Sequence, residues 1–225
     1  MMHLRLLPAI AALLCAAGEL RAVQPTELTL KENGEILLAT DALPDIQIRT
    51  DVKEIADGQW KPTKVLVKCA PAQGTSVDRV QKYAFPDGTE IDHTVKAQIA
   101  GDKVDVAASW VANGNSPGFS RVDLWIPDDL SADITASIGD QVIFPYAAEN
   151  QPIITYTSGG PVVFKRKSTG EFLFQLTGDF MSVTPAFYPS NPQAGLTFRL
   201  LNVPLDTTAK IGDKTSLNWS LSFKP

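Results

Sequence analysis

Apolar and polar residues alternate with a period of two along most of this chain, the pattern of strands with one face buried. Between residues 103 and 110, Val104, Val106, Ala108 and Trp110 fall on one side and Lys103, Asp105, Ala107 and Ser109 on the other. Residues 216–223 repeat the rule, with Leu217, Trp219, Leu221 and Phe223 opposed to Ser216, Asn218, Ser220 and Ser222. Val122, Leu124 and Ile126 likewise oppose Arg121, Asp123 and Trp125. Turn signals separate these stretches. Asn33-Gly34, Gly101-Asp102, Gly139-Asp140 and Gly212-Asp213 read as hairpin tips, because glycine accepts the positive φ that matches the twist of paired strands.

Further strands are predicted at 28–30, 35–38, 45–50, 64–69, 80–85, 94–100, 134–138, 162–166, 172–176, 181–187 and 196–201. Residues 51–58 carry the one set of helix signals, with Asp51 as N-cap, Glu54 three residues on and Gly58 as stop; a polar connection is the alternative. The connection after Pro145 is long enough to carry the chain from one sheet to another. Roughly fifteen short strands and almost no helix predict an all-β fold, a large antiparallel β-sandwich of two packed sheets. A barrel or two smaller sandwiches are the alternatives, since strand number does not fix closure.

Residues 1–22 follow a different pattern: Arg5, an apolar run from Leu6 to Ala17, then a polar exit ending in Leu20-Arg21-Ala22. That order marks a secretory signal, and the apolar run is shorter than the roughly 20 residues of a membrane span. The predicted mature chain is one domain over 23–225, exported to the periplasm or beyond the cell, with no transmembrane segment. Cys15 follows Leu13 and Leu14, where a lipid-modified cysteine needs a small residue. Without the leader, Cys69 is the one cysteine, which leaves no partner for a disulfide and suits a small buried apolar residue.

The whole chain carries a net charge of −5; the leader holds Arg5, Arg21 and Glu19, net +1, so the remainder is −6. An acidic balance without a basic stripe argues against nucleic acid and anionic membrane surfaces as partners.

Candidate chemistry is sparse. Trp110 and Trp219 align with aliphatic neighbours and are predicted core, whereas Trp125 shares its face with Arg121 and Asp123. An indole beside hydrogen-bonding groups suits a sugar ring, which has an apolar C–H face and hydroxyls at its edge. Phe119 follows the loop at 113–118, and Trp60 lies in a less regular stretch; both extend the candidate ligand surface. For each aromatic the competing reading is packing on the outside of the sheet or anchoring of a loop.

Asp87, Glu90 and Asp92 form an acidic cluster around a Pro-Asp-Gly turn. On a strand Glu90 and Asp92 share a face, a candidate for calcium with help from carbonyls, or for acid and base roles at a glycosidic bond. Solvated turn residues are the competing reading, and His93 points the other way. The chain carries no Gly-rich phosphate loop, zinc spacing or Gly-x-Ser-x-Gly elbow.

Residues 91–145, with Leu124-Trp125-Ile126-Pro127-Asp128-Asp129-Leu130 at their centre and a hairpin ending in Pro145, resemble the large β-sandwich modules that accompany secreted bacterial carbohydrate-active enzymes. The closing strand at 216–223 resembles theirs as well. The resemblance implies an exported, non-catalytic sandwich with a structural or glycan-related role, and assigns no ligand residue. Three functions are thereby set against one another: a carbohydrate or cell-surface ligand binder using Trp125 and its neighbours, a module that docks an envelope protein, and a glycan-processing enzyme built around Asp92.

Overall fold

The structure, a computed structural model, describes residues 22–56, 59–61, 64–85, 88–114, 118–145, 156–157, 160–187, 196–201, 212 and 214–225. The strands in the first half are β1 (Pro25–Leu30), β2 (Ile36–Thr40), β3 (Ile46–Ala56), β4 (Gln59–Lys61), β5 (Lys64–Val67), β6 (Ala72–Gly74), β7 (Ser76–Ala84), β8 (Glu90–Ala100) and β9 (Lys103–Ala112). After β10 (Gly118–Ile126) comes one short helix, α1 (Asp128–Ser131). The series closes with β11 (Ile134–Ile138), β12 (Gln141–Phe144), β13 (Tyr156–Thr157), β14 (Val162–Arg166), β15 (Phe172–Gly178), β16 (Ser182–Phe187), β17 (Leu196–Leu201) and β18 (Lys214–Ser222).

Extended backbone has to satisfy its N–H and C=O groups laterally, and among the described residues these strands do so in two antiparallel sheets of nine. The first runs β13-β16-β17-β10-β3-β2-β1-β6, with β4 attached to β3. The second runs β12-β11-β14-β15-β18-β9-β8-β7-β5. The predicted all-β sandwich is the fold observed. The chain passes from the second sheet to the first between β12 and β13, the switch foreseen after Pro145.

The apolar half of each alternation meets between the sheets in one continuous cluster. Trp110 and Trp219 are 4% and 2% exposed, on the inner side that their spacing predicts. Phe198 from the first sheet stands edge-on to Phe164 of the second, with centroids 4.8 Å apart, and Phe164 stacks on Phe174 at 4.5 Å. Each such pair adds about 0.5–1.5 kcal/mol beyond the burial of its area, so these rings pin one layer to the other.

One expectation is corrected. Residues 51–56 are strand, not helix: β3 continues through them and pairs with β10 from Gln47↔Trp125 to Glu54↔Gly118. A continuous ladder along a long partner outweighs a local capping signal of a few tenths to about 1 kcal/mol. Of the turn read at Gly212-Asp213, Gly212 has the expected positive φ of +81°, while Asp213 and residues 202–211 lie outside the described residues. Gly212 donates its N–H to the Ala112 carbonyl at 2.8 Å, close to the start of β18.

Candidate functional site

The Trp125 surface lies on the outer face of the first sheet, where β10 runs between β3 and β17. Register sets Trp125 opposite Gln47 and Thr197, Asp123 opposite Arg49 and Arg199, Arg121 opposite Asp51, and Phe119 opposite Lys53. The predicted row of Phe119, Arg121, Asp123 and Trp125 is thus a row of one strand, flanked by charged positions. Trp125 is half-buried. The Arg49 guanidinium lies over its ring, 5.5 Å from the centroid, while Arg49 Nε donates to Gln47 Oε1 at 2.6 Å. The protein's own cation therefore covers part of the indole, and a ligand would share that ring with Arg49. Trp60 falls on β4 opposite Ile55, one strand beyond β3.

At the acidic cluster Glu90 and Asp92 do share a face of β8. Lys82, opposite on β7, places its ammonium 3.1 Å from Glu90 Oε2 and 3.4 Å from Asp92 Oδ1. It stands where a calcium ion would bridge the two carboxylates. Hydrogen bonds to Glu90 and Asp92 in turn raise the Lys82 pKa, so the bridge keeps its charge. Asp87 lies outside the described residues, and no group of three or more metal-ligating side chains occurs among the described ones.

His93 faces inward, as the strand parity requires, and is fully buried. Arg79 Nη2 donates to His93 Nδ1 at 2.8 Å, Arg79 Nη1 donates to the Gly34 carbonyl at 2.6 Å, and Trp110 stacks on the imidazole at 4.9 Å. Burial first, then the adjacent guanidinium charge, hold the His93 pKa well below its ordinary value. The ring is a neutral acceptor inside the sandwich, out of reach of a substrate on either outer face. Cys69 is buried too, and burial pushes its thiol pKa up, so it is a poor nucleophile.

The feature that sequence reading missed is a trough of about 580 Å³ on the outer face of the second sheet. Register builds it from two polar rows running across the strands. One row is Asp78, Lys96, Ala107 and Asn218; the other is Ser76, Gln98, Asp105 and Ser220. Ala107 and Gly178 keep the floor low. A Cβ on Gly178 would lie 2.6 Å from the Asn218 carbonyl oxygen and 2.6 Å from Trp219 Cβ, so only glycine lets β15 approach β18 there.

The polar groups of the trough are held in place. Asp179 accepts from the Asn218 backbone N–H at 2.7 Å and from Asn218 Nδ2 at 3.0 Å, leaving the amide oxygen to face outward contacts. Asp105 accepts from Ser220 Oγ at 2.8 Å and lies 2.8 Å from the Lys103 ammonium. The Lys103 hydrogen bond, with help from Ser220, holds the Asp105 carboxyl below the usual carboxylate range, so it remains an acceptor in mildly acid solution. The alternation had marked Asp105, Ala107, Asn218 and Ser220 as outward. Their alignment across strands more than 100 positions apart has no local signal.

No protein-family model matches the chain, and no curated protein matches it in sequence. Among solved structures, the Slr1438 protein of Synechocystis sp. PCC 6803 aligns with a TM-score of 0.54 at 8% identity, covering 88% of this chain and 92% of that one. A protein of Escherichia coli K12 provisionally described as an aldose 1-epimerase aligns with a TM-score of 0.51 at 10% identity, covering 88% of this chain and 98% of that one. At such identities the likeness is one of fold: the chain has the same large two-sheet sandwich as these proteins.

Proposed function

We propose that this chain is an exported glycan-binding protein that holds its ligand in the trough on the second sheet without turning it over. The observation that carries the reading is the pair of aligned polar rows above a floor of Ala107 and Gly178. Fixed donors and acceptors on rigid strands suit a ring of hydroxyls, because little side-chain freedom is lost when the sugar arrives. The trough volume falls in the range of small-ligand sites. Support also comes from the company the fold keeps, since one structural neighbour carries a sugar-epimerase description. Binding without turnover is favoured by His93, the one histidine among the described residues, being buried, neutral and occupied by Arg79.

A glycan array probed with the purified mature chain tests this. Binding is expected, and Lys96→Ala with Asn218→Ala is expected to weaken it by roughly tenfold or more, the worth of one or two ligand hydrogen bonds. Loss on Trp125→Ala with the trough variant unaffected would move the site to the first sheet. Co-purification with an envelope protein and no glycan signal would replace the reading with a docking module. Export is checked by the N-terminus of the secreted product, expected at Val23.

A further inference from the structure

Where the tip of the β1–β2 hairpin meets the β5 edge of the second sheet, a cavity of about 450 Å³ is lined by Lys31, Glu32, Asn33, Val65, Lys68 and Gln81. Gln81 is 1% exposed, on the inner side of β7. Its Oε1 accepts from the Tyr83 hydroxyl at 2.8 Å, and its Nε2 has no hydrogen-bond partner. Turning the amide over does not change the count, because one end serves Tyr83 and the other is left over. Gly34 clamps this amide from the hairpin side: at φ +87°, a Cβ there would lie 2.6 Å from Gln81 Oε1. A buried polar end that lines a cavity and lacks a partner calls for one.

The walls define what that partner is. Lys68 Nζ lies 2.8 Å from Glu32 Oε1, and Lys31 Nζ only loosely approaches Glu35 Oε2 at 3.8 Å. Two ammonium groups and one carboxylate give the lining a net charge of +1 in a chain of net −5. Val65, 41% exposed, supplies an apolar wall. We propose that this cavity binds a small sugar acid, a hydroxylated ring bearing one carboxylate. The carboxylate faces Lys31 and Lys68, a hydroxyl answers whichever end of the Gln81 amide is free, and the C–H face rests on Val65. The site is independent of the trough, since Ser76 and Asp78 leave β7 on the opposite side from Gln81.

Calorimetric titration of the full chain with D-glucuronate and with D-glucose tests the assignment. Glucuronate is expected to bind at least about tenfold tighter than glucose, and Lys31→Met with Lys68→Met to remove about that factor. Val65→Trp fills the cavity from an exposed edge position and is expected to abolish binding with the circular-dichroism spectrum unchanged, which keeps the test valid if the lysine variant folds poorly. Lys96→Ala with Asn218→Ala is expected to leave glucuronate affinity alone, so failure here and failure of the trough are read separately. Equal affinity for the two sugars, no binding of either, or glucuronate binding that survives Val65→Trp would overturn the proposal.

Discussion

The inner histidine makes a quantitative statement about acid. Because arginine only donates, the 2.8 Å contact assigns His93 Nδ1 as acceptor and places the ring proton on Nε2, so the folded protein holds a neutral imidazole. Burial and the Arg79 charge keep its pKa well below the ordinary value near 6.5, at which the same ring titrates in the unfolded chain. Below that pH the unfolded state takes up a proton that the folded state refuses. The stability from His93 is therefore fully present above pH ~6.5 and lost as pH falls beneath it. Integrating that uptake from pH 7 to pH 5 gives at most about 2 kcal/mol, the limit in which the folded ring takes up no proton, or at most about 4–8 °C in Tm for a chain of this size. His93→Gln keeps an acceptor for Arg79 and removes the titration, while the carboxylates common to both proteins cancel. Thermal and urea unfolding of the two proteins across this pH range should show the wild type losing more stability than the variant, by up to about 2 kcal/mol. Parallel pH profiles would refute a neutral, buried ring.

Four further outcomes follow from glycine and aromatic contacts. Gly34→Ala, strained at φ +87° and pressed on Gln81, should cost at least about 2 kcal/mol in urea unfolding. Gly101→Ala, at φ +64° with nothing within 4 Å, should cost only about 1 kcal/mol, and the reverse order would refute the clamp. Phe198→Ala removes the ring that meets Phe164 and Phe144 across the sheets and should lower stability by about 3–5 kcal/mol, read from the urea midpoint at constant m-value. Gly178→Ala should force β15 from β18, costing about 1–3 kcal/mol and weakening glycan binding in the trough; an unchanged Tm would show that the strands have room to spare.

What was legible in the chain was whatever one strand decides alone. The sidedness of Trp110, Trp219, Leu124 and His93 follows from parity, and Asn33-Gly34, Gly101-Asp102 and Gly139-Asp140 announce their turns through the φ that glycine tolerates. What two or more strands decide together was hidden. The helix signals at Asp51 and Glu54 gave way because β10, some 70 positions later, offers β3 a ladder. The bridging of Glu90 and Asp92 by Lys82, and the Arg49 guanidinium over Trp125, depend on which residue the register sets opposite. The trough is the extreme case, since Ser220 and Asp105 bond to each other from positions 115 apart.

The place of β18 between β15 and β9 has a consequence for biogenesis. A ribosome delivers this segment after the other described strands, yet the middle of the second sheet stays split until it arrives, so β7, β8 and β9 wait as an open-edged fragment while β15 lacks its neighbour. Synthesis of the earlier strands and closure of the sheet are thus separated in time. Deleting residues 214–225 would split the second sheet into two half-sheets rather than trim an edge from it.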